Sequence, residues 1–250
     1  MNENIVDMKY LKITLFAAAL LGLVSCAKDA QQGSGMVTFT LNADYEIADG
    51  TKSNVSEFTA LPSAADFELS VADASSAVIW KGKLSEWEAG KRIPAGAYSV
   101  NASYGDIQVE GFDRPCFQGK ADFAVVGNEV AQVAVDVALA NTVVKIACTD
   151  NFKNYYQDYR FELVRNGNIL ATFVKDETRA AFVDGYKFTV QGTVTAQGKS
   201  QTFSKDYTGL KEATAYTILF DAGNVGSSSI TVTFNDVVET IDLGDVELND

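Results

Sequence analysis

The chain has 250 residues, a formal net charge of −13 and no histidine. An acidic chain of this kind disfavours nucleic acid as a partner, because the phosphate backbone is also negative. The lack of histidine excludes Ser-His-Asp and Cys-His catalysis and histidine-ligated zinc, so only carboxylate-based enzymes stay open. Apolar residues make up 47% and charged residues 21%, a balance that predicts a folded core rather than disorder.

The first element of the chain is a short apolar run at residues 13–24, preceded by Lys9 and Lys12. A membrane-spanning helix needs about twenty apolar residues, and this run is shorter. The run ends in Leu23-Val24-Ser25-Cys26, which resembles the lipobox of a bacterial lipoprotein signal peptide. The resemblance implies that residues 1–25 are removed and that the thiol of Cys26 is lipidated.

The residues after the lipobox are small, polar and glycine-rich, so residues 26–35 are interpreted as a flexible tether. We therefore expect a lipid-anchored protein of the outer membrane. The pair Lys28-Asp29 partly resembles the signal that directs Bacteroidetes lipoproteins to the outer face. This favours the cell surface, and the periplasmic face stays an alternative.

From Met36 onward apolar and polar residues alternate with a period of two, which predicts half-buried β-strands. Examples are Val37–Leu41, Phe67–Val71, Val133–Leu139 and Ile230–Phe234. Tight hairpins are predicted where glycine or asparagine turns separate these runs. The turns are Asn166-Gly167, Asp184-Gly185, Gln197-Gly198 and Asn235-Asp236. Only two short stretches could be helical, near residues 85–89 and 151–156.

An internal repeat sharpens the architecture. Phe67-Glu68-Leu69 recurs as Phe161-Glu162-Leu163, and the elements that follow each copy keep the same order at a spacing of about ninety residues. The sequence therefore predicts an all-β fold with two tandem β-sandwich domains, transthyretin-like or immunoglobulin-like. We place them at residues 36–140 and 141–250.

Two cysteines remain after Cys26, namely Cys116 and Cys148. Cys148 continues an alternating apolar run and is interpreted as a small core residue. An extracytoplasmic location would permit a disulfide between the two, but their spacing in the sequence does not establish it.

A series of motifs in the middle of the chain has a recognisable order. They are P-A-G-A-Y at Pro94–Tyr98, G-F-D-R-P-C-F-Q-G at Gly111–Gly119, and L-A-N at Leu139–Asn141 followed by Val144-Lys145. This series resembles a family of Bacteroidetes lipoproteins of unknown function, similar to the tandem transthyretin-like lipoproteins of fimbrial and adhesin type. Read physically, Gly111-Phe112 and Pro115-Cys116-Phe117 would plug the end of a sandwich and need no ligand.

The resemblance implies a non-enzymatic surface role in adhesion or as a fimbria-like structural component. Its implied partners are the membrane, through the lipid, and other surface or fimbrial subunits, a host matrix protein or a glycan. One departure concerns trimming at a basic site, which precedes assembly in fimbrial subunits of that order. Lys52 is the only basic residue between Lys28 and Lys81, so assembly by that route is in doubt.

Four aromatic residues are candidates for stacking on a sugar ring: Trp80, Trp87, Tyr155 and Tyr156. The alternative is that they pack in the core or between domains, because aromatic side chains bury large areas. Exposed stacking would favour a glycan-binding lipoprotein of a nutrient-capture system. Acidic residues do not follow the spacing of a calcium loop, so the sequence predicts no metal site, no cofactor and no catalytic residue.

Overall fold

The computed structural model describes residues 33–47, 53–222, 229–234 and 237–243. The predicted leader, the lipidation site Cys26, most of the tether and the turn Asn235-Asp236 lie outside the described residues. No helix in the described ranges is both long and apolar enough to span a membrane.

The regular secondary structure of the described residues is β-strand apart from one short helix and three 3-10 turns, which confirms the predicted all-β class. The strands are β1 (Ser34–Asp44), β2 (Glu46–Ile47), β3 (Ser53–Asn54), β4 (Glu68–Asp73), β5 (Val78–Lys83), β6 (Arg92–Pro94), β7 (Gly96–Tyr104), β8 (Gly111–Phe112), β9 (Phe117–Val125), β10 (Val130–Leu139), β11 (Thr142–Cys148), β12 (Asp158–Arg165), β13 (Asn168–Val174), β14 (Ala181–Val183), β15 (Lys187–Ala196), β16 (Lys199–Thr208), β17 (Ala215–Ala222), β18 (Ser229–Phe234) and β19 (Val237–Asp242). The helical segments are α1 (Asp150–Tyr155) and 3-10 turns at Val55–Glu57, Ala64–Asp66 and Leu84–Glu86. The two stretches predicted as helical thus match α1 and the last of these turns.

The first sandwich is a single seven-stranded sheet in the order β5-β4-β7-β9-β10-β1-β6. Strand β9 pairs with β7 along its whole length, but it pairs with β10 only where Phe117–Gly119 meets Val137–Leu139. The sheet therefore folds over at β9, and its two halves enclose one core. The fully buried side chains of that core include Val37, Phe67, Leu69, Val100, Phe117 and Val135.

The second sandwich has two separate sheets. A six-stranded sheet in the order β19-β18-β17-β11-β14-β8 packs against a four-stranded sheet in the order β13-β12-β15-β16. Phe161 of one sheet stacks on Phe220 of the other with ring centroids 4.4 Å apart. Phe152 of α1 packs against both rings from the end of the sandwich.

The two sandwiches share one topology. The order β5-β4-β7-β9 in the first corresponds to β13-β12-β15-β16 in the second. In the opposite layer, the parallel pair β1–β10 with antiparallel β6 corresponds to the parallel pair β11–β17 with antiparallel β14. The repeat seen at Phe67 and Phe161 is therefore a repeat of strand order. The division of the chain after residue 140 stays a prediction, because β8 from the first part of the chain joins the second sandwich.

Two of the predicted hairpins have the expected backbone, whereas Asp184-Gly185 links β14 and β15, which lie in different sheets and do not form a hairpin. Asn166 and Gly167 have φ values of 50° and 81°, and Gln197 and Gly198 have 51° and 77°. Two successive residues with positive φ form the type I′ turn that matches the twist of paired strands.

Gly119 is placed where the first sheet folds over. A Cβ at this position would lie 2.1 Å from the Asp136 carbonyl oxygen on β10, a backbone atom that cannot move independently. We expect Gly119→Ala to lower the free energy of unfolding by about 3 kcal/mol, as overpacked positions do. Urea denaturation of the chain from residue 27 onward measures this. Ala124→Ser, on the exposed face of the same strand, is the control, and an equal effect of both variants would refute the packing argument.

Candidate functional site

The two tryptophans that the sequence suggested as a stacking platform lie in the first sandwich. Trp87 is only 8% exposed, and its Nε1 donates a hydrogen bond to the Val37 carbonyl at 2.9 Å. Trp80 is half-buried and meets Trp87 edge to face at 4.8 Å. The Lys91 ammonium lies 5.6 Å from the Trp80 ring centroid and 5.3 Å from that of Trp87. Trp87 therefore closes a core instead of presenting a ring face to solvent.

The tyrosine pair lies in the second sandwich, on α1 and at its end. Tyr156 is 1% exposed, with its ring 4.6 Å from Phe152, and burial raises the pKa of its hydroxyl to about 12. Tyr155 is half-buried and meets Tyr156 edge to face. Trp87 and Tyr156 thus follow the packing alternative, which corrects their candidacy as stacking residues. For Trp80 and Tyr155 ligand stacking stays a prediction.

The motif residues form a connection between the sandwiches. Strand β8 pairs antiparallel with β14, so that Gly111 faces Phe182 and Phe112 faces Ala181. The Phe112 ring meets Phe173 edge to face at 4.9 Å, which places it against the core of the second sandwich. We call the contacts made by residues 110–116 with the second part of the chain the clasp.

An arginine covers the outer side of the clasp. The Arg179 guanidinium lies 4.4 Å from the Phe112 ring centroid, a cation–π contact. It forms ion pairs with Glu177 at 2.8 Å and with Asp113 at 3.4 Å. Its hydrogen bonds to Glu177 lower the pKa of that carboxyl to about 2. Asp113 also accepts a hydrogen bond from the Thr59 hydroxyl at 3.3 Å, so it links three segments of the chain.

A nearly buried carboxylate holds the inner side of the clasp. Glu110 accepts a hydrogen bond from the Asp184 backbone N–H at 2.6 Å and forms an ion pair with Arg165. Its burial raises its pKa, although these two partners favour the charged form. Both partners belong to the second sandwich, so the ion pair fixes the approach of β8 to β14.

The L-A-N motif supplies the third part of the clasp. Asn141 is fully buried, and its side-chain oxygen accepts a hydrogen bond from the Cys116 backbone N–H. The Asn141 carbonyl accepts a hydrogen bond from Ala213 N–H at 2.9 Å. Both Cys116 and Cys148 are free thiols, so the disulfide alternative does not occur in the structure.

A cleft of about 680 Å³ lies beside the clasp, at the junction of the two sandwiches. Its lining combines amide, carboxylate and guanidinium groups with aliphatic side chains: Gln108, Val109, Glu110, Arg165, Asn166, Asn168, Ile169, Leu170 and Asp184. Val109 and Ile169 are 44% and 55% exposed. Converging polar groups beside apolar surface at a junction of this kind are typical of ligand sites. Among the described residues, no three cysteine or carboxylate groups lie close enough together to hold a metal ion.

Comparison with known proteins places the chain in a family. A family model described as domain of unknown function DUF4493 matches residues 33–249. The chain belongs to this family. No curated protein matches the chain.

Solved structures resemble this DUF4493 chain in fold. A Bacteroides thetaiotaomicron protein provisionally described as polysaccharide binding has a TM-score of 0.50 at 13% identity, covering 83% of this chain and 98% of its own. A fimbrial assembly protein from Parabacteroides distasonis has a TM-score of 0.47 at 9% identity, with coverages of 83% and 98%. A Bacteroides eggerthii protein provisionally described as a cell adhesion protein has a TM-score of 0.45 at 11% identity, with coverages of 85% and 96%. At these identities the likeness concerns the fold alone.

The sequence pointed to the clasp only in part. It marked Gly111-Phe112 as a plug for the end of a sandwich, whereas the structure places this pair at the edge of the six-stranded sheet, with the Phe112 ring against the second core. It did not indicate Glu110, Arg165 or Arg179, because charged residues on strands and in their connections are usually solvent-facing. The sequence does show a glutamate, Glu110, directly before the glycine–phenylalanine motif. This position becomes informative only once β8 is known to pair with β14.

Removing the Phe112 ring tests the apolar part of the clasp. We expect Phe112→Ala to lower the free energy of unfolding by about 3 kcal/mol, since a large apolar contact is lost and a cavity remains beside Phe173. Urea unfolding measures the change. Tyr186→Ala, at a 63% exposed position, is the control and should change stability by less than about 0.5 kcal/mol.

The raised pKa of Glu110 predicts a pH dependence. A carboxyl whose pKa is higher in the folded state binds its proton more tightly there. Folding stability therefore falls as the pH rises from the unfolded-state pKa through the folded-state pKa. We expect the free energy of unfolding of the wild type, relative to Glu110→Gln, to fall as the pH rises above the ordinary glutamate pKa of about 4.3. Urea midpoints measured across this rise in pH decide the sign, and a relative rise would contradict the burial of Glu110.

Proposed function

We propose that this DUF4493 protein is a non-enzymatic lipoprotein of the outer membrane, attached through Cys26 and exposed at the cell surface. We propose that it acts in adhesion or as a fimbria-like structural component. The clasp is the observation that carries the proposal, because the family's motif residues there join two sandwiches. A fixed pair of sandwiches on a flexible lipid tether suits a protein that projects from a membrane and contacts other subunits or host matrix.

The proposal does not include assembly by trimming at a basic site. Strand β1 pairs with β10 from Met36 to Asp44 and with β6 at its start. Its residue Val37 is fully buried in the first core. Removal of β1 would therefore open the first sandwich, and the segment before it offers few basic residues.

A second candidate is a glycan-binding role in nutrient capture, and the junction cleft favours it. Amide groups of Gln108, Asn166 and Asn168 can both donate and accept hydrogen bonds, as sugar hydroxyls require. Val109 and Ile169 offer apolar surface for a ring face. The cleft has no aromatic side chain in its lining, so we rank this function second.

The adhesion proposal is tested in cells of a Bacteroides strain. We expect cells that produce the wild-type chain to bind immobilised host matrix proteins, and we expect added proteinase K to remove the protein from intact cells. The Cys26→Ala variant should be lost from the membrane fraction, and its cells should not bind matrix protein, because no thiol remains to carry the lipid. Protein that resists proteinase K until the cells are lysed would support the periplasmic alternative instead.

A glycan array probed with the chain from residue 27 onward distinguishes glycan capture from adhesion. Saturable sugar binding that is lost in Asn168→Ala, without binding to matrix protein, would replace adhesion by glycan capture. Ser204→Ala, at an exposed position of β16 that does not line the junction cleft, is the control.

A further inference from the structure

The edge of β11 is only half covered. Strand β14 pairs with β11 over Thr142–Val144, whereas β17 pairs with it as far as Cys148. Val143 and Thr149 direct their backbone N–H groups toward the β17 side. Because successive residues of a strand direct these groups to opposite sides, Ile146 and Cys148 direct theirs toward the uncovered edge. The described residues provide no strand there.

A cavity of about 270 Å³ opens at this uncovered edge. Its inner wall is apolar and includes Cys148, Tyr159, Phe161 and Phe173. This volume is just below the usual range for whole small-molecule ligands, and it suits one or two large side chains. An unpaired strand edge beside an apolar cavity combines the two features that bind an extended peptide: main-chain hydrogen bonds and a side-chain pocket.

The first sandwich shows what fills the corresponding place when the chain supplies it. In the first sandwich Gly35 pairs with Ile93 of β6, and Val37 lies two residues further along β1. In the second, Val144 pairs with Ala181 of β14, and Ile146 lies two residues further along β11. The Val37 carbonyl accepts a hydrogen bond from the Trp87 indole, whose ring packs on Phe39 at 4.8 Å. By the same count Phe39 corresponds to Cys148.

The second sandwich supplies no such side chain. Trp87 belongs to the connection between β5 and β6, and the corresponding connection between β13 and β14 is Lys-Asp-Glu-Thr-Arg-Ala at residues 175–180. This short connection has no aromatic residue. The carbonyl of Ile146 and the cavity beside it therefore lack the partner that Trp87 provides in the first sandwich.

The mouth of the cavity adds a preference of charge. Lys145 and Lys153 are exposed there, and neither forms an ion pair with another described residue. On the opposite side Glu177 is already paired with Arg179, and Asp176 places an exposed carboxylate there, so the preference for an acidic residue is confined to the side of the two lysines. An acidic residue next to the inserted side chain would therefore find an unpaired lysine.

We propose that the β11 edge of the second sandwich binds an extended segment of a partner protein, which inserts an aromatic side chain into the cavity. The segment pairs its backbone with Ile146 and Cys148 and carries an acidic residue toward Lys145 or Lys153. Tyr186 is the only aromatic residue among the strongly exposed apolar residues that the structure describes, and it lies in a tight turn. A different protein is thus a better partner than a second copy. The inference rests on the proposed role in surface contacts.

The test selects peptides without assuming a sequence. A phage library of random twelve-residue peptides is selected on the chain from residue 27 onward, which includes both described cores. We expect enriched peptides to share an aromatic residue with an acidic neighbour. They should bind Cys148→Phe at least about tenfold more weakly, because phenylalanine is the residue at the corresponding position 39 and fills the cavity. Ser204→Ala should bind like the wild type.

Alkylation of Cys148 with a maleimide gives a second readout that does not depend on a variant. Cys116 is fully buried, and the chain from residue 27 onward does not include Cys26, so the reaction reports on Cys148. Burial raises the pKa of this thiol to about 12, so a long time course is needed. A selected peptide should slow the reaction severalfold.

Three outcomes would overturn the inference. They are a library that yields no peptide dependent on the cavity, selected peptides without an aromatic residue, and protection of Cys148 that rises with protein concentration in the absence of peptide. The last result would assign the edge to a second copy. If the protein binds selected peptides but cells that produce it do not bind matrix protein, the proposed function is refuted and this inference stands.

Discussion

The arrangement of the molecule depends on two residues of β8 that cross from one sandwich into the sheet of the other. Gly111 makes this crossing possible, because its φ of +129° is accessible to glycine and a Cβ there would lie 3.0 Å from the Leu170 carbonyl oxygen. Phe112 then fills the space beside Phe173. The remaining contacts of the clasp require that β8 be in this position, since Arg179 lies on the Phe112 ring and Glu110 directly precedes Gly111.

The apolar and polar parts of the clasp do different work. Burial of an aromatic ring is favourable wherever the ring can reach a core, so Phe112 supplies attraction with little directional preference. A nearly buried ion pair contributes little net stability after desolvation, but an unpaired buried charge is costly. Glu110 and Arg165 therefore disfavour other registers of β8 against β14, and the clasp gains a unique geometry from them.

The sequence was sufficient for the fold class and insufficient for the site, for a physical reason. Period-two alternation reports which face of a strand is buried, and runs such as Val133–Leu139 carry it over many residues. Strand β8 has two residues, too few to show a period of two, so the sequence could mark it only through its glycine–phenylalanine motif. Whether an aromatic residue is buried depends on what covers it. Trp87 contacts Val37 and Phe39 of a strand distant in sequence, and Tyr156 packs on its neighbour Phe152 within the second core. No local pattern reports that burial.

The repeated topology makes the differences between the sandwiches informative. The first sandwich covers its β1 edge at Val37 with Lys91 and Trp87 of its own chain, while the second leaves the β11 edge open at Ile146 and accepts β8 at the far edge of β14. A covered edge gains stability and loses the capacity to pair, because the same backbone groups cannot serve both purposes. Among the described strands, sheet ends such as β5 and β16 also have an unpaired side, but the open segment of β11 is the one that borders an apolar cavity lined by core residues.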